Sequence, residues 1–200
     1  YGQNKMASSQ TAVPTTGNTL KNGLVGWWTM DGADTTVVTT TDKSGQGNNG
    51  TISTTTLVVG KIGQGMKFNG TTSIVTMPSG SGMDVAVGAP HSISAWIKPA
   101  AASLTGSIFS IGTNGQNYNY QLILSSGKVA YQSGCCGTTN SSSTLSANKW
   151  YHVTATSDGS NIKYYVNGVS DGVGTLANSG PTALTAKIGS NGTSGFFNGL

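Results

Sequence analysis

From Gly23 onward, apolar and polar residues alternate with a period of two, the spacing that puts successive side chains on opposite faces of a β-strand. The stretch 92–99, SISAWIKP, sets Ile93, Ala95 and Ile97 against Ser92, Ser94, Trp96 and Lys98, then stops at Pro99. Strands are also predicted over 24–30 (LVGWWTM), over 65–78 with a bend at Asn69-Gly70, and over 107–112, 118–132 and 149–169. Ser126-Gly127 and Asp158-Gly159 sit where hairpins would reverse, and Asn167-Gly168 ends a strand with another turn. No run of helix-forming residues is long enough to carry the chain between parallel strands. The pattern predicts an all-β fold, an antiparallel two-sheet sandwich of jelly-roll type.

Within 149–169 the alternation assigns faces. Tyr151, Val153 and Ala155 fall on one side of their strand, and Trp150, His152, Thr154 and Thr156 on the other. On the next strand Ile162, Tyr164 and Val166 oppose Lys163, Tyr165 and Asn167. A curved sandwich buries the first set and shows the more polar second set. The four tryptophans, Trp27, Trp28, Trp96 and Trp150, are expected mostly in the core as bulky apolar groups. Residues 1–22 stand outside the pattern and read as a lead-in or linker; Met6, Gln10 and Val13 could line a short helix there. Residues 23–200 are the sandwich.

Composition sharpens this picture. Only 8% of the chain is charged, against about 25% in ordinary domains. All ten basic residues are Lys and all six acidic residues are Asp, with no Arg and no Glu. Gly, Ser, Thr and Asn fill the gap, which disfavours helices and suits strands joined by tight turns. The net charge of +4 comes from scattered lysines. With no basic stripe and no Arg to fork onto guanine or phosphate, nucleic acid is excluded as a partner. No apolar run reaches the ~18 residues of a membrane span. The Ser/Thr/Asn/Gly-rich character points to an extracellular or cell-surface setting.

Six segments then carry a resemblance: GLVGWWTMDG, DKSGQGNNGTI, GKIGQGMKFNGTTSIVTMP, HSISAWIKP, NKWYHVTATSDGSNIKYYVNGV and KIGSNGTSGFFNGL, in that order. Together they resemble laminin-G-like domains of the concanavalin A-like lectin/glucanase superfamily, of the bacterial surface-protein type, over 23–200. That fold hosts lectins, hydrolases and adhesion modules, so the resemblance speaks to fold before function. The family continues past the segment matched by FFNGL into a closing strand, so the resemblance implies that this strand is lacking here. The edge at LVGWW would then be open to strand addition by the lead-in or by other copies of the chain.

Asp31 ends the first predicted strand and Asp42 opens the Gly-Asn loop, which puts both at a rim of the sandwich. Ca²⁺ takes six to eight oxygen ligands, and carbonyls of the loop could complete the shell. The resemblance implies a Ca²⁺ site with Asp31 and Asp42 as ligands, joined by Asn48 or Asn49. The alternative, that both carboxylates cap turns, fits the residues equally. For sugar, Asn117, Asn119 and Gln121 share one face of a strand and Tyr118 and Tyr120 the other, with Tyr131 one hairpin later. Amide groups beside aromatic rings suit sugar hydroxyls and C–H faces. A core-facing Tyr pair with a solvated Asn/Gln face is the competing interpretation.

Catalysis finds little support. A glycosidase needs two carboxyl groups flanking the cut bond, and the related glucanases use Glu, which is absent. GQGNNG at 45–50 has the letters of a dinucleotide-binding turn, but TISTTTLVV follows it instead of a helix. His91 and His152 lack a nucleophile-elbow context.

Cys135 and Cys136 are the only cysteines and are adjacent. They cannot supply a four-ligand zinc site or a C-x-x-C motif. In an oxidising compartment they pair with each other or with another chain. Flanking Gly134 and Gly137 suit the backbone distortion of a vicinal bond, and a Cys135–Cys136 disulfide is expected. The sequence as a whole predicts a non-catalytic extracellular recognition or adhesion module that binds a glycan or surface glycoconjugate, with a structural Ca²⁺. The alternative is a structural subunit of a pilus or surface filament carrying the same body.

Overall fold

The computed structural model of the protein describes residues 22–200 apart from 84, 87, 114–116, 134–136, 176–184 and 193. The lead-in through residue 21 and the Cys135–Cys136 pair lie outside the described residues. Fifteen strands follow in chain order among those residues. They are β1 (Thr39–Thr40), β2 (Gly50–Ser53), β3 (Thr56–Val59), β4 (Gln64–Asn69), β5 (Ile74–Thr76), β6 (His91–Ile97), β7 (Gly106–Thr113) and β8 (Asn117–Ser125). Then come β9 (Lys128–Ser133), β10 (Gly137–Thr144), β11 (Tyr151–Ser157), β12 (Asn161–Val166), β13 (Val169–Thr175), β14 (Ala186–Ile188) and β15 (Asn198–Gly199).

One sheet runs β1-β2-β5-β14-β7-β8-β9-β10. The other is assembled from β13-β12-β11-β6 and β15-β4-β3. Backbone bonds just after β6 join these two parts: Lys98 N–H to Leu200 O at 2.8 Å, Leu200 N–H to Lys98 O at 3.1 Å, and Ala100 N–H to Asn198 O at 3.0 Å. Every ladder between these strands is antiparallel. The two-sheet all-β sandwich expected from the alternation is the fold observed.

The core lies between the sheets. Val75, Ile111, Leu122, Leu124 and Val129 enter it from the first sheet, and Met66, Phe68, Ile97, Val153 and Ile162 from the second. Each such side chain contributes about 1.5–3 kcal/mol through burial. Polar groups cross the same layer in satisfied pairs, as a dry interior requires. Tyr164 Oη accepts the N–H of Tyr131 at 3.1 Å and donates to Thr139 O at 2.8 Å. His91 Nδ1 lies 2.9 Å from Ala89 O, and its Nε2 meets Tyr131 Oη. A carbonyl can only accept, so Nδ1 carries the proton and the tyrosine donates to Nε2. At one border of the sandwich, Ser143 on β10 donates from N at 3.2 Å and from Oγ at 2.6 Å to Asp171 on β13.

Two expectations are corrected. Residues 24–30 form no ladder strand. Trp27 N–H donates to the carboxylate of Asp42 at 2.9 Å, and Lys43 N–H to Trp27 O at 2.7 Å, so a side chain stands where a neighbouring backbone would. Met30 then turns into the left-handed region at φ 56°, which ends the extended run. An open ladder edge at 24–28 therefore does not form. Nor are the tryptophans all core: Trp27 is 46% and Trp96 45% exposed, while Trp28 packs on the core with its indole N–H on Asn48 O at 2.9 Å.

Asp42 organises the loop after β1. Its Oδ1 accepts from Trp27 N and Ser44 N, at 2.9 and 2.8 Å, and its Oδ2 from Ser44 Oγ and Asn48 N, at 2.7 and 2.9 Å. Burial pushes the carboxyl's pKa up, but the bonds from Ser44, Trp27 and Asn48 outweigh it and hold the group below the ordinary value. Asp42→Ala strips three backbone N–H groups of their acceptor, and a hydrogen bond to a charged group is worth about 1.5–3 kcal/mol. We expect a loss of at least ~2 kcal/mol in denaturant-induced unfolding; a variant as stable as the wild type would contradict this role.

His91 makes stability depend on pH. Burial holds its pKa below the ordinary value of 6.5, so the folded chain prefers the neutral ring. Below about 6.5 the unfolded chain takes the proton first, so its contribution is complete above that pH and is lost as pH falls through the lowered folded value. The melting temperature should drop between pH 7 and 5, a slope that His91→Gln flattens. An unchanged slope in the variant would refute the assignment.

Candidate functional site

The antiparallel register of β6 and β11 pairs Trp96 with His152, Ser94 with Thr154, and Ile97 with Tyr151. Because side chains alternate, the residues that bury Ile97, Val153 and Ala155 place Trp96, Ser94, His152 and Thr154 on the outer face. The rings of Trp96 and His152 lie 5.2 Å apart at 51°. Next to them, the β12–β13 turn is a two-residue hairpin with Asn167 at φ 53° and Gly168 at φ 79°, the primed geometry that Asn-Gly supplies. Asn167 exchanges bonds with β11: His152 N–H to Asn167 Oδ1 at 2.9 Å, and Asn167 N–H to His152 O at 2.7 Å. From the other flank, the β3–β4 turn carries Lys61, whose Nζ stands 5.3 Å from the centre of the Trp96 ring.

Lys61, Trp96, Trp150, His152, Asn167 and Gly168 together line an open depression of about 540 Å³. Thr154 Oγ1 donates to Ser94 Oγ at 3.2 Å, and Ser94 Oγ lies 2.7 Å from His152 Nε2. The relay gives each hydroxyl proton an acceptor when Ser94 donates to Nε2, which leaves the imidazole proton on Nδ1. A half-exposed indole, a second indole and fixed polar groups around an open hollow are what a ring-shaped, hydroxylated ligand needs. The strand alternation already set Trp96 among polar neighbours; assigning it to the core by residue type hid that signal.

The residues singled out in the sequence lie elsewhere. Gln121 and Tyr131 are 2% and 1% exposed, so neither offers a surface to a ligand arriving from solvent. Tyr131 stacks on Tyr120 with ring centres 6.1 Å apart, and burial, followed by the neighbouring Tyr120 and Tyr164, raises its hydroxyl pKa. Asn117 and Asn119 belong to β8, but their side chains lie outside the described residues. The competing interpretation, a core-facing Tyr pair with a solvated Asn/Gln face, holds for Tyr120, which is buried, and not for Gln121, which is buried rather than solvated.

Of the residues expected around calcium, Asp42, Asn48 and Asn49 are joined by hydrogen bonds, and Asp31 is held by other partners. Asp31 accepts from Ala33 N at 3.2 Å and Gln64 N at 3.1 Å, a set of donors separate from those on Asp42. Asn48 turns its amide nitrogen to Val25 O and Ser81 O, and Asn49 Oδ1 accepts from Asp42 N. Among the described residues no group of three His, Cys, Asp or Glu could hold a metal. Asp31 and Asp42 thus accept from separate sets of donors.

Comparison with solved structures gives domain 4 of AbnA, an extracellular GH43 arabinanase from Geobacillus stearothermophilus in complex with arabinotriose. The two are 25% identical with a TM-score of 0.63, over 80% of this chain and 82% of that one. A structure of botulinum neurotoxin type C, whose cell entry depends on two ganglioside molecules, is 17% identical with a TM-score of 0.60, over 88% of this chain and 43% of that one. Trypanosoma rangeli sialidase in complex with the inhibitor DANA is 16% identical with a TM-score of 0.58, over 82% of this chain and 27% of that one. The chain thus spans less than half of the toxin and sialidase chains, and these two likenesses concern the fold. No curated protein matches the sequence. Residues 69–200 match the laminin G 3 family, described as the concanavalin A-like lectin/glucanases superfamily. The protein therefore belongs to the laminin-G-like domains of the concanavalin A-like lectin/glucanase superfamily.

Proposed function

We propose that this domain is a non-catalytic module that recognises glycans outside the cell, and that it holds them in the Trp96 depression on the outer face of the second sheet. The observation that carries the reading is Trp96 itself. A large indole 45% exposed, flanked by Trp150 and His152 over an open hollow, presents a flat apolar face that stacks on the C–H face of a pyranose or furanose ring. Asn167 and His152 stand at the rim, fixed by their mutual backbone bonds, to meet hydroxyl groups. The likeness to an arabinanase domain solved with arabinotriose supports the same ligand class, and its extracellular parent supports the setting.

The non-catalytic character rests on the available acids. The chain has no Glu, and Asp31, Asp34, Asp42, Asp158 and Asp171 each accept hydrogen bonds within the domain. None of these aspartates lines the depression, so the acid–base pair needed for glycoside cleavage has no counterpart there.

Binding should be read by calorimetry against a panel of soluble oligosaccharides, after a glycan array has chosen the panel. Trp96→Ala should weaken the best binder by about 2 kcal/mol, the size of effect typical of a central aromatic contact. Because no carboxylate lines the depression, binding should persist in a calcium chelator. A Trp96→Ala variant that binds as tightly as the wild type would move the site elsewhere, and chelator-sensitive binding would require a different chemistry.

A further inference from the structure

We propose that the Trp96 depression selects acidic saccharides, with the sugar ring on the indole and its carboxylate or sulfate on Lys61; the proposal rests on the glycan-binding reading of the same site. The lining combines hydrogen-bond donors with one cation. Lys61 carries an ammonium with three donors and no acceptor. It makes no ion pair, the one such pair among the described residues being Lys43–Asp34 at 2.7 Å. Asp31 touches the same β3–β4 turn, but its oxygens are engaged by Ala33 N–H and Gln64 N–H. The indole N–H groups of Trp96 and Trp150 are donors only, and neither has a hydrogen-bond partner among the described residues. The Oδ1 of Asn167 accepts from His152 N–H, and its NH₂ group adds two donors. Ser94 Oγ engages His152 Nε2 at 2.7 Å.

The side chains lining the hollow are therefore rich in donors and carry one positive charge, that of Lys61. The hydroxyls of a neutral sugar can accept from these donors but bring no charge to meet the ammonium. A carboxylate or sulfate presents acceptors alone, and its bonds to an ammonium are charge-assisted. Lys61 overhangs the Trp96 ring at 5.3 Å from its centre, so an acidic substituent on a stacked sugar comes within its reach. The lining holds a single lysine, so one acidic group of the bound saccharide is held at the site.

The test measures affinities of the whole domain for oligogalacturonate, a sulfated heparin-derived oligosaccharide, and neutral arabinotriose and cellotetraose, with wild type, Lys61→Met and Trp96→Ala. Both substituted side chains are exposed, so circular dichroism and melting should show intact folds. The expected result is that an acidic ligand binds at least ~10-fold tighter than either neutral one, the scale of one charge-assisted bond. Lys61→Met should erase that preference, and Trp96→Ala should weaken all ligands. Which acidic ligand wins identifies the anion as carboxylate or sulfate, and either supports the proposal. Neutral oligosaccharides binding as well as acidic ones, or an unchanged preference in Lys61→Met, would overturn the selectivity and leave glycan binding standing. Absence of binding by every ligand would overturn both.

Discussion

The register between β6 and β11 is the constraint on which the rest of this protein depends. Seven consecutive pairs, from Tyr151 with Ile97 to Ser157 with His91, lock the two strands. Since the side-chain period is two, a slip of one residue would turn Ile97, Val153 and Ala155 to water and drive Trp96 and His152 inward. Core and site are thus two faces of one pairing, and apolar burial on the inside fixes the geometry of the outside.

That inner face is not purely apolar. His91 enters it at the start of β6 and meets Tyr131 from the opposite sheet, while Tyr164 reaches from β12 to the backbone of β9. These bonds tie the sheets together at defined points, where greasy contacts alone would let them slide. On the other side of β6 the C-terminal strand β15 lies between the chain after Ile97 and β4. It brings the β3–β4 turn, and with it Lys61, into the same sheet as Trp96. The charge at the depression and the indole beneath it come from parts of the chain that only this strand order makes neighbours.

The uneven surface chemistry follows from composition. With so few ionisable groups, Asp serves mainly to gather backbone N–H groups, as Asp42 does for Trp27, Ser44 and Asn48 and Asp158 does for Ser160 and Asn161. Each such acid holds the backbone of its own loop in place. The same economy leaves Lys61, like most lysines of the domain, without an ion pair among the described residues.

Much of the fold was legible in the sequence. Alternation over 92–99 and 149–169, with turn residues at Ser126-Gly127, Asp158-Gly159 and Asn167-Gly168, determines strands, hairpins and which side chains face inward, because these depend on residues close in the chain. The polar strand β10, GTTNSSST, escaped notice because its residues show no apolar alternation; it is held by pairing with β9 and by Asp171 across the border. The segment 24–30 failed in the opposite sense. Its apolar pattern suits a strand, yet the carboxylate of Asp42 takes the place of a neighbouring backbone. The site was legible only in part: the sequence by itself determined that Trp96 and His152 lie on polar faces of their strands. That these faces adjoin, that Lys61 hangs over the indole, and that Tyr131 and Gln121 are interior was decided by the tertiary structure. Register and sheet order are settled by burial between segments far apart in the chain, and no local pattern contains them.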